Sequence, residues 1–131
     1  MFLYLPQLFR RFSLSTILIF SLASGVVRFL IIGWAAGELW IVLLAQLLHA
    51  ATFGSFHAAA VAAVHRVFPE HAQARGQTLF SGFVYGAGAA AGLLISGWAW
   101  AGGGAALAFS VSALAALAGA FFAAKLKRAG L

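Results

Sequence analysis

The chain has 131 residues, of which 64% are apolar, 15% aromatic and only 8% charged, and its mean hydropathy is +1.04. Soluble domains spend about 25% of their residues on charge, so a soluble enzyme and a disordered chain are excluded, and the absence of Cys excludes a disulfide scaffold. Eight Lys and Arg against two acidic residues give a net charge of +6, but the basic residues stand at the ends of apolar runs, which encodes membrane orientation and not nucleic-acid binding.

A bilayer crossing takes roughly 20 apolar residues, so this length holds about four to six helices and no soluble domain. Residues 1–9 are too short to cross and contain Pro6; they lie at the inner surface or form the tail of a preceding helix. Arg10 and Arg11 follow this stretch without a small-residue cleavage site, so it does not read as a secretory signal. The first span covers residues 13–33 and closes on a turn bracketed by Trp34 and Trp40. The second, residues 38–64, is longer than the hydrocarbon core requires and should tilt or project from it. A polar loop, residues 68–76, reads as solvated. The third span, 77–100, and the fourth, 105–124, are separated by Ala101, Gly102, Gly103 and Gly104.

Basic residues fall before the first span (Arg10, Arg11), between the second and third (Arg66, Arg75) and after the fourth (Lys125, Lys127, Arg128). The other two connections have none, so the positive-inside rule gives four crossings with both termini cytoplasmic. The chain therefore reads as one all-α transmembrane domain in the lipid bilayer. A β-barrel would need alternating spans of about 10 residues, which are not present.

Arg28, the remaining basic residue, lies about five residues inside the first span, roughly 7 to 8 Å deep. A charge there points to function; the plainer expectation is a side chain that reaches the outer interface or pairs with Glu38. On the second span, Gln46, His49, Phe53, Phe56, His57 and Ala60 share an arc of about 100°, with Thr52 just outside it, while Leu43, Leu44, Leu47, Leu48, Ala58 and Val61 occupy the rest. Such a stripe should face protein or water instead of lipid. Imidazole titrates near neutral pH, which suits His49 and His57 to proton coupling; the plainer role is a hydrogen bond between helices. His65 and His71 read as surface residues.

On the third span, Gln77, Ser81, Tyr85, Gly88, Gly92 and Ser96 share one face, and Gly82, Gly86, Ala89, Leu93 and Gly97 another. The pairs Gly82/Gly86 and Gly88/Gly92 have the spacing that lets helix backbones approach, and imply neighbours on more than one side. No metal-ligand spacing, nucleotide loop or catalytic triad is present, and the chain has no Asp, so neither a cofactor nor enzymatic catalysis is expected.

The run Gln46-Leu47-Leu48-His49-Ala50-Ala51-Thr52-Phe53-Gly54-Ser55-Phe56-His57-Ala58-Ala59, with Arg10-Arg11-Phe12-Ser13 and Gly25-Val26-Val27-Arg28, resembles the C-terminal part of major facilitator superfamily transporters. The resemblance extends over essentially the whole chain and is nearest to the phenylpropionate-permease-like and nucleoside-symporter-like branch, related to lactose permease. It implies that the four spans are helices nine to twelve of a twelve-helix fold, that residues 1–9 are the tail of the eighth, and that N-terminal transporter helices are the missing partners. It also implies a proton-coupled symporter of a small organic solute (an aromatic acid, nucleoside or sugar) in a bacterial inner membrane. Arg28 and His49 match an Arg and a His that serve coupling and substrate binding in that group, whereas Thr52 stands where those relatives carry the proton-bearing Glu. The aromatic residues Phe53, Phe56 and Tyr85 would suit a flat-ring substrate. Two other classes compete: a self-contained four-helix dimeric exporter, which would need a Glu in the first span, and a non-transporting structural or regulatory partner assembled through its Gly faces.

Overall fold

In hydrocarbon there is no water to pair with backbone N–H and C=O groups, so each apolar segment must satisfy its own, and a helix does so. The computed structural model describes residues 5–128, and these are helical nearly throughout; residues 1–4 of the expected N-terminal tail lie outside them. A short helix α1 (Leu5–Arg11) leads into α2 (Leu14–Ala35) and α3 (Leu39–Val67). A 3-10 turn (Glu70–Ala72) then opens α4 (Gln73–Ser81), which runs through a π-helical stretch (Gly82–Gly88) into α5 (Ala89–Arg128). Three stretches are long and apolar enough to cross a membrane: Leu14–Ala35, Leu39–Val67 and Glu70–Arg128.

Local chemistry sets the boundaries. Ser13 is extended and its hydroxyl accepts from the N–H of Thr16 at 3.3 Å, capping α2. Phe68 precedes Pro69 and takes the extended conformation (ψ 134°) that proline imposes, which ends α3. The connection beyond is shorter than the solvated loop expected over 68–76, because helix resumes at Gln73 and Gly76 is buried. The cause is the Phe68 ring, which folds over the bare Gly76 backbone so closely that a Cβ there would lie 2.6 Å from it.

Were the third stretch straight, its 59 residues would extend about 88 Å, nearly three hydrocarbon cores. It breaks instead at Gly103 (φ −155°, ψ 18°) and Gly104 (φ 62°, ψ −153°), within the expected turn. Gly104 occupies a region essentially closed to other residues. Phe80 and Phe122, on opposite sides of the break, line one cavity, so the two arms run antiparallel as a hairpin.

Helix α2 is the common partner. Leu14, Ile17 and Leu18 pack with Ala59 and Ala60 of α3 and Ala123 of α5. Further along, Leu22 meets Gly119 and Gly33 meets Phe109, a sequence of contacts that fixes the last arm antiparallel to α2. Near the same end Trp34 Nε1 donates to Ser110 Oγ at 3.2 Å. The arm between Gly82 and Trp98 turns outward, with Leu94 77% exposed. This order gathers α1, the α3–α4 connection and the end of α5 at one end of the bundle, and with them Arg10, Arg11, Arg66, Arg75, Lys125, Lys127 and Arg128.

The Gly33 contact is the tightest of the seam: a Cβ there would sit 2.8 Å from Phe109 Cβ, whereas one at Gly119 would make ordinary 3.5 Å contacts with Leu22. Gly33→Ala is expected to cost about 1–3 kcal/mol through overpacking, and Gly119→Ala close to nothing. Unfolding in mixed detergent micelles, followed by circular dichroism, measures both.

Candidate functional site

Residues 49, 52, 53 and 56 lie one turn apart on α3, and residues 21, 25 and 28 do so on α2, so two helical faces meet where these rows cross. Between them is a cavity of about 190 Å3, lined by Arg28, His49, Thr52, Phe53 and Phe56 together with Ser21, Leu22, Gly25 and Phe29, and closed by Ala116 of α5. Five of the eight polar and aromatic candidates thus converge. Gly25 makes the room, since a Cβ at that position would meet nothing within 4 Å.

Arg28 makes neither an ion pair with Glu38 nor a hydrogen bond among the described residues. Its guanidinium carbon lies 4.4 Å from the centre of the Phe29 ring, and its buried Nε has no acceptor. A buried donor left unmade costs about 1–3 kcal/mol, more when charged, and an acceptor entering the cavity would recover that energy. Thr52 is the most buried polar residue of α3, at 8% exposure, although it stood outside the predicted stripe. Its hydroxyl donates to Leu48 O at 2.8 Å and also approaches His49 O at 3.3 Å, so it is spent on its own helix and leaves a methyl for packing.

Aromatic rings continue outward from the cavity. The His49 ring lies 5.4 Å from Phe53, Phe53 stacks on His57 at 6.3 Å, and His57 stands 6.0 Å from Tyr85. The last step is a hydrogen bond: His57 Nδ1 and Tyr85 Oη are 2.6 Å apart, joining α3 to the π-helical stretch. His57 and Tyr85 therefore stand beside the cavity and not in its wall. Gln46 is exposed and outside the cavity.

The close helix approach expected at Gly82, Gly86, Gly88 and Gly92 is not made among the described residues. A Cβ at Gly82, Gly86 or Gly92 would meet nothing within 4 Å, and one at Gly88 would meet only Phe83 O of its own segment. This arm touches its neighbours through Phe80 and Tyr85 and leaves the glycine faces open. Sequence spacing also missed Ser21, Gly25 and Phe29 as cavity residues, although Gly25 and Ser21 stand one and two turns before Arg28 on the same helical row, which was the available signal. No group of three or more His, Asp or Glu side chains comes together among the described residues.

Three helical stretches long and apolar enough to cross a bilayer, packed side by side, are those of an integral membrane protein. A family model described as the MFS_1 like family matches residues 1–111, and the chain belongs to that family. The matched region takes in every cavity residue except Ala116. No curated protein and no solved structure matches the chain.

The His57–Tyr85 bond is a polar link between α3 and an otherwise exposed arm. Tyr85→Phe is expected to cost about 0.5–1.5 kcal/mol and to raise amide hydrogen exchange over residues 82–88 several-fold. Unchanged exchange there would show that the arm is held by its apolar contacts alone.

Proposed function

We propose that the chain supplies part of a secondary active transporter, a proton-coupled symporter of a small organic solute of the aromatic-acid, nucleoside or sugar class. The observation that carries this reading is the meeting of Arg28, with its unpaired Nε, and His49, Phe53 and Phe56 on one intramembrane cavity. The cation offers charge and hydrogen bonds to a carboxylate or hydroxyl, the rings offer a stacking surface, and the imidazole offers a proton-exchanging group.

The cavity is smaller than the roughly 300–1,000 Å3 of ligand sites, which fits one wall of a site completed by other helices. Alternating access works by one repeat rocking against another, so this chain is not expected to transport alone. The hairpin at Gly103–Gly104 supports reading the third apolar stretch as two crossings, four in all. By the positive-inside rule, the cluster of basic residues at one end supports a cytoplasmic position for that end, with a bacterial inner membrane as the proposed location. Its two carboxylates, Glu38 and Glu70, flank the helices, and Thr52 carries no titratable group. The proton is therefore assigned to His49 or to a carboxylate on a partner helix.

The test is uptake driven by an imposed pH gradient, with the chain assembled with the remaining helices of the transporter. His49→Ala is expected to abolish coupled uptake and Arg28→Ala to lower it at least tenfold, while the surface variant His71→Ala retains it. Equal uptake by the His49 and His71 variants would sink the assignment.

A further inference from the structure

Where α1, the first half of α2 and α3 meet, three cavities adjoin, and of their lining residues only Ser21 is shared with the site above. The first, about 350 Å3, is lined by Leu8, Phe12, Ile17, Phe20, Ser21 and Ser55. A second, about 620 Å3, lies beside Gln7 and Arg11 and shares Leu8 and Phe12 with the first. A third, about 380 Å3, is bordered by Ser13 and Arg66 and again by Phe12. The shared residues join them into one groove with a cationic mouth and an apolar stem.

The dimensions and charge of this groove are specific. From Phe12, just before α2, to Ser21 within it is nine residues, about 13 Å at the helical rise, which is close to the depth of one leaflet in a hydrocarbon core of about 30 Å. The stem opens sideways, where Phe20 is 71% exposed, so a lipid chain can enter from the bilayer. Arg11 and Arg66 stand at the mouth, beside the N-terminal end of α2 whose dipole also favours an anion. No carboxylate lines any of the three cavities.

We propose that this groove binds an anionic glycerophospholipid, with the phosphate at the mouth bordered by Arg11 and Arg66 and one acyl chain along Phe12, Ile17 and Phe20. A soluble anion would use only the mouth, and a zwitterionic lipid would use only the stem. An anionic lipid uses both at the depths where they occur, as basic pockets between membrane helices do. The inference is independent of the transport reading, because it uses none of the residues Arg28, His49 or Thr52.

The test is electron spin resonance on the full chain reconstituted in phosphatidylcholine bilayers, with acyl-spin-labelled phosphatidylglycerol or phosphatidylcholine of the same chain length. The motionally restricted fraction is expected to be larger for phosphatidylglycerol. Its relative affinity should fall about fivefold for each arginine removed in Arg11→Ala and Arg66→Ala, singly and together. Lys127→Ala/Arg128→Ala removes the same charge from the same end but off the groove, and should change it less than twofold. Ser55→Phe fills the inner end of the stem from α3 and should shrink the restricted fraction with the arginines intact; Ser55 bonds only its own helix, at Ala51 O, so the variant breaks no hydrogen bond between helices. Helicity by circular dichroism accompanies each variant. Equal restriction of the two lipids, equal loss in the two double variants, or an unchanged restricted fraction in Ser55→Phe would each overturn the proposal.

Discussion

Apolar side chains gain little by leaving lipid for one another, so helices in a membrane are held by close contact between backbones and by a few polar links. The architecture of this chain depends on that constraint, and α2 is where it is met. Its large residues Leu14, Ile17 and Leu18 lie against alanines, with Ala59 fully buried, and its own glycine, Gly33, accepts Phe109. Large against small on both sides lets α3 and the last arm of α5 approach α2 along nearly its whole length. Because α2 makes the long seams with both, those seams decide where the rest of the bundle lies.

The cavity is the place where those seams fail to close. Towards the basic end, Leu14 and Leu18 fill the space in front of Ala59 and Ala60; towards the other end, Gly33 lets Phe109 in. Between the two, Gly25 has no side chain to offer and faces a row of bulky residues, His49, Phe53 and Phe56, that do not interdigitate with it. Arg28 enters the same gap, and among the described residues its cost in a medium with no water is reduced by the face of Phe29. Packing defect and charge coincide, and both are expensive for a purely structural bundle.

Much of this was legible in the sequence, and the exceptions have physical causes. Helical class, the turn after Gly33 and the break among Gly102, Gly103 and Gly104 follow from apolar run length and glycine, which act locally. The buried face of α3 was harder to place. The helix is apolar all round, so no period marks its inner side, and the stripe drawn through Gln46 and His57 is centred off the packed face that holds Ala45, Thr52 and Ala59. Thr52 escaped because its hydroxyl bonds its own backbone, which makes a polar residue pack as an apolar one. The helix beginning at Gln73 escaped because its start depends on Phe68 covering Gly76, a contact between residues eight apart across a turn. Conversely, the glycine spacings at 82, 86, 88 and 92 were visible but did not identify the contacts actually made, which are at single glycines.

Those open glycines bear on the functional reading. A helix surface formed by Gly82, Gly86 and Gly92 presents grooves of bare backbone, which a neighbouring helix fills with more contacts than a mobile lipid chain can. On the inner side the same arm is held by Phe80 and by the Tyr85 hydroxyl, through a π-helical stretch whose widened turns have weaker internal constraint than α-helix. An arm fastened lightly on one side and shaped for contact on the other suits a helix that stands between this bundle and another. On the proposed reading that face would meet the remaining helices of a transporter, and the aromatic row from Tyr85 through His57 and Phe53 to His49 runs from this arm to the cavity that holds Arg28.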